Sequence, residues 1–61
     1  ARYLDSLRIW KAQELLIGTA KSVKEISAEV GFRDPLYFSR AFRRKVGLSP
    51  KAFRKDSRRG D

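Results

Sequence analysis

The chain has 61 residues, 15 of them Lys or Arg against 7 Asp or Glu, for a net charge of +8, and it contains neither cysteine nor histidine. A single small domain is the upper bound at this length, one that buries only about 60% of its unfolded surface. The absent residue types exclude disulfides, thiolate chemistry, the usual zinc sites and the commonest general base, while the excess of positive charge points to a polyanion, either nucleic acid or an anionic membrane surface.

No apolar run approaches the roughly 18 residues that a membrane span needs, and no signal-peptide pattern opens the chain. The expectation is a soluble, cytoplasmic, polyanion-binding module with no metal and no cofactor. No repeat, low-complexity linker or strand-like alternation is visible, so the predicted fold class is all-α, with about four helices punctuated by Gly and Pro.

The first predicted helix runs from about Arg2 to Ile17 and stops at Gly18. At about 100° per residue, Ile9, Ala12, Leu15 and Leu16 gather on one side. Tyr3, Leu7, Trp10 and Ile17 gather on the opposite side, so this helix is apolar on two faces and expects two partners.

The second starts at Ser22. Ser22 and Glu25 stand three apart, the spacing of a capping box in which hydroxyl and carboxylate each satisfy a backbone N–H of the helix start. Val23, Ile26 and Val30 form one buried stripe, with the small Ser27 facing the partner helix, and Gly31 supplies the left-handed turn at the end. A helix of about two turns is unstable alone and must be packed.

The third opens with Asp34 as N-cap and Pro35 at the first helical position. Phe38 and Phe42, four apart, face inward with Ala41 beside them. Leu36, Tyr37, Ser39, Arg40, Arg43 and Arg44 occupy the other face, and Gly47 ends the helix. Ser49 and Pro50 start a fourth, short helix anchored by Phe53. The segment from Arg54 to Asp61 is highly charged and has no apolar residue, so it is expected to fray.

Two short helices joined by Gly31, Phe32 and Arg33 form a helix-turn-helix. In that unit the first helix crosses the sugar–phosphate backbone and the second enters the major groove of a duplex. Phe38 and Phe42 would seat the second helix on the core and hold its opposite face outward. Arginine suits such a face, because its planar fork holds guanine O6 and N7 bidentately or clamps a phosphate.

With these positions in hand, the sequence resembles the DNA-binding region of AraC/XylS-type transcriptional regulators. The resemblance rests on Arg8 and Ile9, Ala12 and Leu16, then Val23, Ile26 and Ser27, Gly31 and Phe32, Phe38, Phe42, Gly47, Ser49 and Pro50, and Phe53 and Arg54. These positions span nearly the whole chain. The family's DNA-binding region holds two helix-turn-helix units joined by a linker helix, and many members carry an effector-binding or dimerisation domain on the N-terminal side. The resemblance implies that residues 1–18 are the linker helix. Residues 19–61 would be the second helix-turn-helix unit, a homeodomain-like three-helix core with the terminal helix. The first unit and the effector domain are missing, so the chain is expected to be a piece of a longer regulator.

Carried over by position, base-edge contacts fall to Leu36, Tyr37, Ser39 and Arg40, with Arg40 as the hydrogen-bonding member and Leu36 and Tyr37 placed for a thymine methyl. Backbone contacts fall to Ser22, Arg33, Arg43, Arg44 and, more weakly, Lys51. Asp34 reads as a cap, since it would repel phosphate. The implied partner is an operator or promoter duplex, with RNA polymerase as a further partner for a regulator of this type.

Other readings compete. The Tyr3, Leu7, Trp10 and Ile17 face would suit a protein-interaction or dimerisation module, and charge alone would suffice for non-specific binding to RNA or an anionic membrane. Arg40 would be silenced by an ion pair with Glu29 or Asp34, and Tyr37 by packing over the turn. No enzyme is expected: no paired carboxylates converge, and Ser39 has no base to activate it.

Overall fold

The computed structural model describes the backbone of residues 2–59 and the side chains of residues 5–57. Four helices follow one another: α1 (Arg2–Gly18), α2 (Val23–Glu29), α3 (Pro35–Val46) and α4 (Pro50–Arg59). There is no strand among the described residues, and the fold class is all-α, as the punctuation of the sequence predicts.

Local chemistry sets the helix ends. At the start of α2 the Glu25 N–H donates to Ser22 Oγ at 3.0 Å, and the Ser22 N–H donates to Glu25 Oε1 at 2.9 Å, a complete capping box. At its end Gly31 takes φ 103°, which an alanine would adopt only with strain. The Phe32 N–H then reaches the Ser27 carbonyl at 2.8 Å, and the Gly31 N–H reaches the Ala28 carbonyl at 3.1 Å. This is the Schellman closure, and it reverses the chain within two residues. Asp34 Oδ1 accepts from the Leu36 N–H at 3.0 Å with Pro35 at the first position of α3. Gly47 closes that helix in the left-handed region at φ 97°. Ser49 Oγ accepts from the Ala52 N–H at the start of α4.

The carboxylate of Glu25 is held below its ordinary pKa, chiefly by the hydrogen bond from the Ser22 backbone, then by the Ser22 side chain, with a smaller contribution from the Lys21 charge. A carboxylate with a depressed folded-state pKa adds stability above its unfolded pKa and loses it as pH falls through the folded one. Urea midpoints of the wild type should therefore fall on acidification through the carboxylate range. Glu25→Gln should show a weaker dependence over the same window; an identical pH profile would remove Glu25 from the box.

The buried apolar core comes from the first three helices and the turn: Ile9, Ala12 and Leu16 of α1, Ile26 of α2, Phe32 of the turn, and Phe38 and Phe42 of α3, with Ser27 of α2 and Pro50 of α4 buried beside them. Ala12 has no exposed surface, and its small side chain lets the other helices approach α1 closely. A row of tilted and edge-on aromatic contacts runs through this core. Phe32 meets Phe38 at 5.2 Å between centroids, Phe38 meets Phe42 at 5.8 Å, and Phe42 meets Phe53 of α4 at 5.5 Å. Such pairs add stability beyond the area they bury. The row ties the turn, α3 and α4 into one unit, with α1 lying across it.

The segment beginning at Arg54, expected to fray from its charge, is helical as far as Arg59, where α4 ends. Arg54 itself is anchored at long range. Arg54 Nε donates to the Leu16 carbonyl at 3.0 Å, and its Nη2 donates to the Thr19 carbonyl at 3.2 Å. These groups close the end of α1, where the last carbonyls of a helix lack partners and no basic residue of α1 itself stands in the last turn. Gly60 and Asp61 lie outside the described residues.

The second apolar side of α1 is open. Leu7, Trp10 and Ile17 are 46%, 58% and 61% exposed, and the side chain of Tyr3 lies outside the described residues.

Candidate nucleic-acid interface

The surface of interest is the outer face of α3. Two phenylalanines with no exposed surface, Phe38 and Phe42, clamp the helix from beneath. Leu36, Arg40, Arg43 and Arg44 follow the helical repeat of about 3.6 residues on the far side, and all four are exposed. The core therefore fixes the rotation of the rod and hence the direction in which the guanidinium groups point.

The remaining candidates divide. Tyr37 is 53% exposed, but its ring leans on Phe32 at 5.8 Å, so it sits at the edge of the face, braced by the turn. Ser39, on the opposite flank of the helix, is half-buried. Arg33 is exposed in the turn immediately before α3. Ser22 and Lys51 are exposed as well, at the N-cap of α2 and in the first turn of α4. They stand on separate elements from the arginine face. The Ser22 hydroxyl already accepts the Glu25 N–H. Asp34 serves as the cap the sequence assigns it.

Among the described residues, the arginines of this face have no ion-pair partner. The ion pairs among the described residues join Asp5 to Arg8, Lys11 to Glu14 and Lys21 to Glu29. None engages Arg40, so the anticipated competition from Glu29 or Asp34 does not occur. Beside the face runs a cleft of about 530 Å³ between the start of α1 and the length of α3, walled by Asp5, Tyr37, Ala41, Arg40, Arg44 and Lys45. Asp5 is the one acidic residue among the described residues that wall it.

Sequence reasoning missed three side chains. The charge pattern assigns Arg54 to a fraying tail, Arg8 enters only through the resemblance, and Asp5 is not among the candidate residues. The spacing of three between Asp5 and Arg8 was the available signal, because it sets two side chains on one helix face. Nothing local signals where Arg54 docks. Among the described residues no group of His, Cys, Asp or Glu side chains gathers in a way that would hold a metal, and no helix is long and apolar enough to cross a membrane.

Comparison with known proteins gives the family of the chain. The family described as "Helix-turn-helix domain" matches residues 1–56. The transcriptional activator RhaR of Klebsiella pneumoniae is 45% identical over 56 residues, covering 92% of this chain and 20% of that protein. The Msm operon regulatory protein of Streptococcus mutans is 44% identical over 54 residues, covering 88% of this chain and 19% of its own length. The lactose operon transcription activator of Staphylococcus xylosus is 38% identical over 52 residues, covering 85% and 19%. The chain thus spans about a fifth of the length of the curated relatives it matches. No solved structure matches it. The relatives are transcriptional regulators, and the chain belongs to the helix-turn-helix domain family of AraC-type regulators.

Proposed function

We propose that this chain is a sequence-reading unit of a bacterial transcription regulator, acting in the cytoplasm, with α3 in the major groove of a duplex and α2 across the adjoining backbone. The observation that carries the reading is the seating of α3: Phe38 and Phe42 are wholly buried while Leu36, Arg40, Arg43 and Arg44 are exposed on the opposite face. A rigid rod with outward guanidinium groups and a short neighbour behind it matches the docking of helix-turn-helix units.

Roles divide by position. Arg40, in the middle of the exposed face, reads a base edge, with Leu36 and Tyr37 against methyl groups and Ser39 on the flank. Arg33, Arg43 and Arg44 neutralise phosphates, joined by Ser22 and Lys51 at two helix starts. Residues 1–18 serve as the linker that ties this unit to the rest of a longer regulator, and residues 19–61 form the reader. The proposal assigns no catalytic role.

The test begins with selection from a randomised duplex pool, followed by affinity measurements on the selected and a scrambled duplex across a salt range. The selected duplex should bind more tightly at every salt concentration. Arg44→Ala should weaken both duplexes alike and reduce the slope of log affinity against log salt by about one. Equal affinity of the wild type for selected and scrambled DNA would count against a sequence-reading role and leave only charge-driven binding.

A further inference from the structure

Arg8 belongs to α1, yet its guanidinium sits on the turn of the helix-turn-helix. The Arg8 Cζ stands 5.8 Å from the centroid of the Phe32 ring. A Cβ added to Gly31 would come within 3.1 Å of Arg8 Nε, so the guanidinium fills the space that the glycine leaves open. Asp5, one turn earlier on the same helix, approaches Arg8 Nη1 at 3.9 Å. Phe32 is 5% exposed and touches both Tyr37 and Phe38, at 5.8 and 5.2 Å between ring centroids. A continuous series of contacts therefore runs from Asp5 through Arg8 and Phe32 to the first turn of α3. Asp5 and Tyr37 stand in the wall of the cleft beside α3, and also in that of a second cleft lined by Arg8, Gly31, Phe32 and Arg33.

We propose that Arg8 is a positioning residue for base reading: packed on Gly31 and Phe32 and steadied by Asp5, it holds the turn, and through Phe32 it sets where Tyr37 and the N-terminal half of α3 lie. The inference rests on the reading of α3 as the base-contacting helix. Its physical basis is tolerance. Contacts to base edges are lost when the side chains making them drift by more than about 0.5 Å, and they depend on supporting residues for that precision. The turn needs such support, because Gly31 has no side chain and α2 is only 7 residues long. α1 is thereby a working part of the reader rather than a passive connector.

Two variants separate positioning from a plain charge effect. Arg8→Met keeps an apolar stem and removes the guanidinium, and Asp5→Asn leaves Arg8 charged while weakening its anchor. Both are measured on the selected duplex, on its single-base variants and on a scrambled duplex, with the wild type and Arg40→Ala as controls. Both should lower discrimination between selected and variant duplexes by about fivefold, in the range by which residues without ligand contact alter coupling. Asp5→Asn should do so although removing a negative charge favours DNA in general, so affinity for the scrambled duplex should hold or rise. Neither should lower the salt slope. In the free protein both should shift the NMR resonances of the Tyr37 ring, a readout that does not depend on DNA.

Equal losses on all duplexes with a slope reduced by about one for Arg8→Met would make Arg8 a phosphate contact and overturn the proposal. Unchanged discrimination, or unchanged Tyr37 resonances, in Asp5→Asn would overturn it too, and that conservative exchange keeps the test valid should Arg8→Met fail to fold. A wild type that does not discriminate at all removes the base-reading premise instead, so the two failures are told apart by the controls.

Discussion

Arg40→Ala is expected to weaken binding to the selected duplex by roughly fivefold to 150-fold, about 1–3 kcal/mol, while scrambled DNA loses far less. Arg40 is exposed midway along α3, flanked by Leu36 and Arg44 at one turn on either side. None of the ion pairs among the described residues engages it, so its donors are available without first breaking an internal contact. A fork that holds two acceptors of one base loses both hydrogen bonds on truncation and leaves a base edge unpaired. Arg40→Lys should rescue little of the discrimination, because an ammonium offers a point charge where the fork offers a plane. Equal losses on selected and scrambled duplexes would reassign Arg40 to the phosphates.

The contrast with Arg43 and Arg44 matters because the chain has so much positive charge. A net +8 guarantees affinity for any duplex at low salt through counterion release. Affinity alone therefore says nothing about function here, and base discrimination at fixed salt is the informative quantity.

The parts of the fold legible in the sequence are those encoded within a few residues. Ser22 with Glu25, Asp34 with Pro35, and Ser49 with Pro50 mark helix starts because each satisfies an N–H two or three positions away, and all three starts stand in the structure. Gly31 and Gly47 mark stops because they take positive φ. The inward pair Phe38 and Phe42 and the outward arginines follow from the helical period alone. Contacts made across the chain were not legible. Arg54 reaches a carbonyl 38 positions back, and a charged tail without apolar residues gives no hint of that anchor. Arg8 on Phe32 likewise joins two elements whose relative placement only packing decides. The half-buried position of Ser39 and the lean of Tyr37 onto Phe32 belong to the same class: the period gives the face, and the neighbours decide how far each side chain emerges from it.

Phe42→Ala carries the largest expected effect on stability. The side chain has no exposed surface and joins Phe38 to Phe53, so it links α3 to α4 as well as to the core. Truncating a buried phenylalanine costs about 3–5 kcal/mol. A chain of 61 residues has a total stability of roughly 3–9 kcal/mol at the usual value per residue, so this one change removes a third of it at the least and all of it at the most. Thermal melts followed by circular dichroism should show the cooperative transition shifted far down or lost at 25 °C. Phe42→Leu, which keeps most of the volume, should retain a transition at reduced Tm. DNA affinity should fall with the folded fraction, and excess selected duplex should restore part of the helicity by mass action, since it binds only the folded chain. Arg40→Ala, by contrast, should leave the melt in place and change only recognition. A Phe42→Ala chain melting within a few degrees of the wild type would mean that the aromatic row does not hold α3, and the fixed outward direction of its arginines would lose its physical cause.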